Sequence, residues 1–270
     1  MIRILFLGDI VGEQGRKAVI TRLPAIREEH QIDFVIVNGE NAAGGRGITP
    51  KISIDLLRAG VAVITTGDHA WDQVEIVEYF DTEPRLLRPL NYPEETPGLG
   101  SVVLETAKGN VGVMNVQGRT FMNPPLENPF LMAEAEAVRL REEENADVIF
   151  VDFHAETTSE KIAMGRALDG MVSAVVGTHT HVQTADEQIF PGGTAFLCDA
   201  GMCGGVESVL GRRIEPVVER FRTSRPARFP VAKGVVAMRG VILDVDESTG
   251  KAERIERFAE DFDSSEPEAE

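Results

Sequence analysis

Residues 177–186 read GTHTHVQTAD and follow directly on the apolar run MVSAVV at 171–176. The run has the composition of a buried strand, and beyond it His179 and His181 occupy alternate positions in a chain that has five histidines. If this segment is extended, a period of two turns both rings to one side, as a shared metal ion requires. The same rhythm recurs along the chain. IRILFL (2–7) runs into Gly8 and Asp9, and FVIV (34–37) into Asn38, Gly39, Glu40 and Asn41. VAVITT (61–66) runs into Gly67, Asp68 and His69, and VIFV (148–151) into Asp152 and His154.

Short apolar runs alternating with helical periodicity predict an α/β fold with buried strands and crossover helices. In an open α/β sheet the loops beyond the carboxyl ends of the strands converge on one crevice. Five such loops would then deliver Asp, Glu, Asn and several His side chains to one place. A helix is well marked by Thr49 as its N-cap, Pro50 at its first position, the pattern KISIDLLRA and a closing Gly60. A second is predicted over LMAEAEAVRLREEE (131–144), with Leu131, Ala135, Val138 and Leu140 as its inward stripe. Strands joined by a turn at DESTG (246–250) predict an antiparallel finish. There is no internal repeat and no linker, so residues 1–258 are expected to form one domain. Residues 259–270, with six acids and no base, read as a solvated acidic tail.

The chain has 270 residues, 43% of them hydrophobic and 26% charged, and a formal net charge of −17. That acidity argues against simple electrostatic attraction to long nucleic acid or to an anionic membrane. No apolar run approaches the roughly 20 residues of a membrane helix, and the start MIRILFLGDI reads as a strand rather than an export signal. A cytoplasmic location is therefore expected, with Cys198 and Cys203 reduced. The composition leaves a homo-oligomer open.

Each candidate has a simpler reading by itself. Asp9 suits a turn or cap, His154 a hydrogen-bonded core position, Asn41 a turn, and AAGGRG (42–47) either a phosphate-cradling loop or ordinary turn chemistry. His30, beside charged residues near a helix end, reads as a surface group. Taken together the strand-end residues point to a metal site. Imidazole with carboxylate and carboxamide oxygen suits Mn, Fe, Co, Ni or Zn rather than Mg or Ca. Seven or so candidate ligands exceed the needs of one tetrahedral ion, which points to two ions sharing a carboxylate.

GDIVG (8–12), NGENAAGG (38–45), TTGDHAWD (65–72), DFHAETTSEK (152–161) and GTHTHVQTADEQIFPGGTAFLCDAGM (177–202) resemble, in order and spacing, the calcineurin-like metallophosphoesterases. Within them the chain is most similar to the bacterial YmdB-like subgroup of 2′,3′-cyclic-nucleotide 2′-phosphodiesterases. The resemblance implies a four-layer α/β/β/α sandwich with a dinuclear centre of Fe or Mn first, and Zn, Co or Ni after them. It implies Asp9, Glu40 and His181 on one ion with Asn41 near or on it. It places Glu40, Asp68, His154 and His179 on the other, so that Glu40 bridges, and makes His69 the catalytic histidine that binds no metal.

Two positions depart from the wider pattern. Val11 stands where the superfamily has a second ligand, a loss this subgroup shares, and Asp68 stands where the family has asparagine. The implied reaction is attack on a small cyclic nucleotide by a hydroxide shared between the ions, with His69 protonating the leaving oxygen and a 3′-nucleotide as product. A phosphomonoesterase with the same centre, or a regulatory nucleotide- or RNA-binding module with little hydrolysis, are the competing readings. In GRTFMNPPLENPF (118–130), Phe121 or Phe130 reads as a base-stacking ring or, more simply, as core packing. Lys161 and Arg166 read equally as phosphate contacts or as a solvated helix face.

Overall fold

The computed structural model describes residues 1–263. Its strands are β1 (Ile2–Leu7), β2 (Asp9–Ile10), β3 (Phe34–Asn38), β4 (Val63–Thr65), β5 (Ser101–Thr106), β6 (Gly109–Gln117), β7 (Val148–His154), β8 (Ala174–Thr178), β9 (Gln188–Ile189), β10 (Ala195–Leu197), β11 (Met202–Gly205), β12 (Val236–Asp246) and β13 (Lys251–Phe262). The helices are α1 (Gly12–Glu29), α2 (Pro50–Arg58), α3 (Val77–Phe80), α4 (Pro129–Glu142), α5 (Thr158–Ala167) and α6 (Ile214–Thr223). One sheet has the order β2-β11-β12-β1-β3-β4, with β13 also paired to β12. The other runs β5-β6-β7-β8-β10-β9.

Alternation along the strands builds the layers. Ile2, Ile4 and Phe6 of β1 face Val111, Val113, Val148 and Phe150 of the second sheet in a buried seam; the Phe6 and Phe150 rings meet at 4.9 Å. Leu5 and Leu7 turn the other way, onto Val19, Leu23 and Ile26 of α1. On the far side, Ile149, Val151 and Phe153 pack with Met164 of α5 and Leu140 of α4. The result is helices, sheet, sheet and helices, the expected four-layer sandwich. β1, β3 and β4 run parallel in one sheet, and β6, β7, β8 and β10 in the other.

Thr49 caps α2 by accepting the Ile52 N–H at 3.3 Å. In α4 the expected stripe holds only at Leu140. Leu131, Ala135 and Val138 are exposed, Leu131 to 64%, while Ala133, Ala137 and Leu140 face inward. The small alanines let the helix lie close against its sheet, and Glu136 sets its rotation by reaching Ser101 of β5 and Arg139. At the chain's end β12 and β13 form the antiparallel hairpin about Asp246–Gly250. β13 continues to Phe262, which pairs with Val236, so residues 259–262 extend the sheet and do not begin a solvated tail. From residue 264 the expected tail lies outside the described residues.

Candidate metal centre

The parallel strands of both sheets bring their carboxyl ends to one rim. β1 leads to Asp9, β3 to Glu40 and Asn41, β4 to Asp68 and His69, β7 ends on His154, and β8 leads to His179 and His181. Among the described residues, Glu40, Asp68, His154 and His179 offer ligand atoms within 4.8 Å of one another, as do Asp9, Glu40 and His181. Glu40 belongs to both groups. Their overlap is the pattern expected of two cations sharing one carboxylate.

In the first group His154 Nε2 lies 3.2 Å from Glu40 Oε2, 3.1 Å from Asp68 Oδ1 and 3.0 Å from His179 Nδ1. Backbone must come close behind it: a Cβ on Gly67 would sit 2.3 Å from both Glu40 Oε2 and His154 Nε2, so only glycine fits. In the second group His181 Nε2 is 3.9 Å from Asp9 Oδ1, and Asp9 Oδ1 is buried with no hydrogen-bond partner. A buried carboxylate oxygen without a donor is costly unless a cation meets it. Asn41 Nδ2 lies 2.8 Å from Glu40 Oε1 and 3.2 Å from His181 Nε2, and a flip of this amide presents Oδ1 to the same point. The donor set of imidazole, carboxylate and carboxamide fits a transition-metal pair.

The imidazoles are held from behind. His154 Nδ1 lies 2.9 Å from Thr178 Oγ1, which donates to Asp152 Oδ1 at 2.7 Å. With that hydroxyl spent on Asp152, its oxygen accepts the Nδ1–H, which leaves the Nε2 lone pair for a cation. Asp152 also accepts from Asn38 and Thr65 at 2.9 and 2.5 Å, and burial pushes its carboxyl up to about 6. His181 Nδ1 is 3.2 Å from the Leu210 carbonyl. His179 Nε2 is 3.1 Å from Glu156 Oε2; Glu156 was missed, although its place two residues after His154 was a signal.

Burial raises the Asp9 carboxyl. Burial also works against the Asp68 carboxylate, but hydrogen bonds with His154 and His179 outweigh it and hold the group well below the usual range. At His154 burial opposes charge, yet Glu40 and Asp68 raise its pKa well above the ordinary histidine value. The raised His154 value reports negative potential where the carboxylates meet, a place that draws cations.

The extended segment expected for His179 and His181 is not present. β8 ends at Thr178, and both histidines adopt positive φ, 96° and 64°, so their rings fall in different groups. Non-glycine residues in this region carry strain that neighbours must offset. Asp199 supplies that support: its Oδ2 accepts the Thr180 N–H at 3.1 Å and hydroxyl at 2.7 Å, and Lys161 Nζ at 2.6 Å. Lys161 is thus neither a phosphate contact nor a solvated side chain. The Arg166 guanidinium lies 3.8 Å from the centroid of the Phe190 ring, stacked on α5's own layer.

His69 stands beside the two groups. Its Nδ1 is 3.2 Å from Asp72 Oδ2 and its Nε2 4.0 Å from Asp68 Oδ2. Asp72 in turn holds Arg46 Nε at 2.7 Å. Arg46 comes from the AAGGRG loop, where Gly44, Gly45 and Gly47 all take positive φ, so turn chemistry there carries a cation to the rim. Asp72 and Arg46 were not read from the sequence, since neither forms part of a strand-end pattern. Val11 is buried and offers no ligand. Phe130 packs on the outer core, whereas Phe121 is 87% exposed on the loop following β6. That loop begins beside the site, where the Gly118 N–H donates to the His154 carbonyl at 2.9 Å.

Residues 5–258 match the family described as YmdB-like protein. A Bacillus subtilis (strain 168) protein named 2′,3′-cyclic-nucleotide 2′-phosphodiesterase is 48% identical over 260 residues, 95% of this chain and 96% of that one. A solved structure described as a novel phosphatase from Mycoplasma pneumoniae superposes with a TM-score of 0.90 at 37% identity, covering 98% of this chain and 95% of that one. A hypothetical protein from Thermus thermophilus gives 0.88 at 41%, covering 96% and 99%. With the fold and the matched span together, the chain belongs to the YmdB-like family of calcineurin-like metallophosphoesterases.

Proposed function

We propose that the protein is a dinuclear metal-dependent phosphodiesterase that opens 2′,3′-cyclic nucleotides, giving 3′-nucleotides. The observation that carries this reading is the pair of ligand groups joined at Glu40; the name of the Bacillus subtilis relative supports the substrate class. Asp9, Glu40 and His181, with Asn41, would hold one ion, and Glu40, Asp68, His154 and His179 the other. Iron or manganese suits these ligands best. When bound, such a pair supplies an activated water and positive charge for the phosphoryl oxygens.

The chain's own residues do the rest. His69, outside both groups, supplies the proton for the departing 2′ oxygen, with Asp72 on Nδ1 setting the ring so that Nε2 faces inward. Glu156, Thr178 and the Leu210 carbonyl keep the three ligand rings in register. A net charge of −17 favours a small nucleotide over long nucleic acid. No helix among the described residues is long and apolar enough to cross a membrane, and two buried, unpaired thiols accord with a reducing, cytoplasmic compartment.

The test is elemental analysis of protein purified without added metal, together with product identification on 2′,3′-cyclic AMP. Two transition-metal ions per chain and 3′-AMP are expected. Metal-free protein that cannot be loaded, or turnover no faster than that of His154→Ala, sinks the reading.

A further inference from the structure

Two arginines come together at the rim, one tied to the His181 side of the centre and the other to His69. Residues 209–212 close a tight turn, in which the Val209 N–H donates to Arg212 O at 2.8 Å and the Arg212 N–H to Val209 O at 3.0 Å. Leu210 and Gly211 take positive φ within it, 52° and 82°. From this turn Leu210 O reaches His181 Nδ1 at 3.2 Å. From it also the Arg212 guanidinium lies on the 42–47 loop, with Nη2 donating to Gly45 O and Nη1 to Phe229 O at 3.2 Å. A Cβ on Gly45 would sit 2.2 Å from Nη1, so the glycine makes the seat. Arg46, the next residue of that loop, places Nη2 3.5 Å from His69 Nδ1 and Nε 2.7 Å from Asp72 Oδ2.

Arg212 is the odd member. The chain has 44 Asp and Glu against 27 Lys and Arg, yet no carboxylate among the described residues pairs with this half-buried guanidinium, and both its bonds go to backbone carbonyls. Burial lowers its pKa, and the like charge of Arg46 lowers it further. Of its five N–H donors two are spent and three remain, beside a second cation. Like charges brought together are unfavourable until an anion comes between them, and a pair of guanidinium forks suits the oxygens of a phosphate. Asp72 holds Arg46 by Nε, which leaves Nη1 for that anion.

The phosphate under attack is not that anion. Arg46 stands at the Nδ1 edge of His69, whereas the Nε2 edge faces Asp68 Oδ2 at 4.0 Å, so the width of the imidazole separates the guanidinium from the ligand groups. We propose that Arg46 and Arg212 bind a second phosphate of the substrate, carried on the 5′ oxygen of the ribose whose 2′,3′-cyclic phosphate is opened. The proposal rests on the phosphodiesterase reading and narrows its substrate class. The preferred substrate is then a 5′-phosphorylated cyclic nucleotide, or the cyclic-phosphate end of a short oligonucleotide, rather than the nucleoside cyclic phosphate alone.

Steady-state kinetics of the Mn²⁺-loaded protein test this on 2′,3′-cyclic AMP, its 5′-phosphorylated form, and the dinucleotide ApA ending in a 2′,3′-cyclic phosphate. At least one of the two phosphate-bearing substrates should show a kcat/KM about 10-fold or more above that of 2′,3′-cyclic AMP, mainly through KM. The larger gain tells a terminal phosphate from an internucleotide one. Arg212→Gln should bring the ratio near unity and Arg212→Lys should keep part of it. Arg222→Gln, which removes the same charge from an exposed position of α6, should keep it whole. Equilibrium binding of adenosine 3′,5′-bisphosphate against 3′-AMP reads the same preference without turnover. Slow hydrolysis of all three substrates therefore counts against the phosphodiesterase reading, while the binding ratio still decides the subsite. Equal affinity for these two ligands in the parent overturns the proposal. So does a preference that survives Arg212→Gln, with all three substrates losing rate alike, which would put that arginine on the reacting phosphate.

Discussion

Lys161 Nζ lies 2.6 Å from Asp199 Oδ2, with both side chains 1% exposed. The same carboxylate oxygen takes both donors of Thr180, the residue between the two strained histidines, and Oδ1 takes the Gly201 N–H at 2.9 Å. This buried pair is therefore the anchor of the loop that carries two of the three histidines in the candidate metal groups.

Lys161→Met should cost about 3–5 kcal/mol, because it strands a buried carboxylate, and should weaken metal binding by about 10–100-fold. Arg3→Met is the control, since the Arg3–Asp244 pair at 2.6 Å lies away from the site and should lower stability alone. Thermal unfolding and Mn²⁺ titration separate the two. Unchanged Mn²⁺ affinity in a folded Lys161 variant refutes the anchoring role.

Asp68→Asn should raise diesterase turnover at neutral pH and loosen metal binding. Two divalent ions facing Asp9, Glu40 and Asp68 retain one net positive charge, where asparagine would leave two and make a stronger electrophile for an anionic diester. Much lower turnover in the variant contradicts this.

His69→Ala should keep both metals and lose about 10²–10⁴-fold in turnover on a 2′,3′-cyclic nucleotide. Asp72→Asn should fall between the parent and that variant, because it disturbs the ring without removing it. Parental rates in His69→Ala would show that another group protonates the leaving oxygen.

Burial pushes the Cys198 thiol up to about 11 and the Cys203 thiol up to about 12. In the native protein at about pH 8, both should resist a disulfide reagent, with thiolate fractions of about one in a thousand or less. Raised values also mean that the native state holds these protons more tightly than the unfolded chain. Their contribution to stability is complete below the ordinary thiol value of about 8.5 and declines as pH climbs from there toward about 11 for Cys198 and about 12 for Cys203. Prompt release of two equivalents from native protein overturns the assignment, while denaturant should free both.

The alternation of Ile2, Ile4 and Phe6 against Leu5 and Leu7 is local, as is the placement of Asp9, Glu40, Asp68, His154 and the His179–His181 pair just past apolar runs. These features were readable without coordinates because strand burial and strand-end position depend on neighbours in the chain. α4 was misread because small residues pack as readily as large ones, so hydrophobic size did not reveal which side faces the sheet.

By itself, then, the sequence determined the layered α/β architecture and the set of side chains available at the strand ends. The tertiary structure alone decided how they are shared out: His179 in one group and His181 in the other, Glu40 in both, and Glu156, Asp72 and the buried Lys161–Asp199 pair behind them. The reason is physical. Apart from His69–Asp72, which is local, those contacts join segments tens of residues apart, through strand order and left-handed backbone turns that no local pattern encodes.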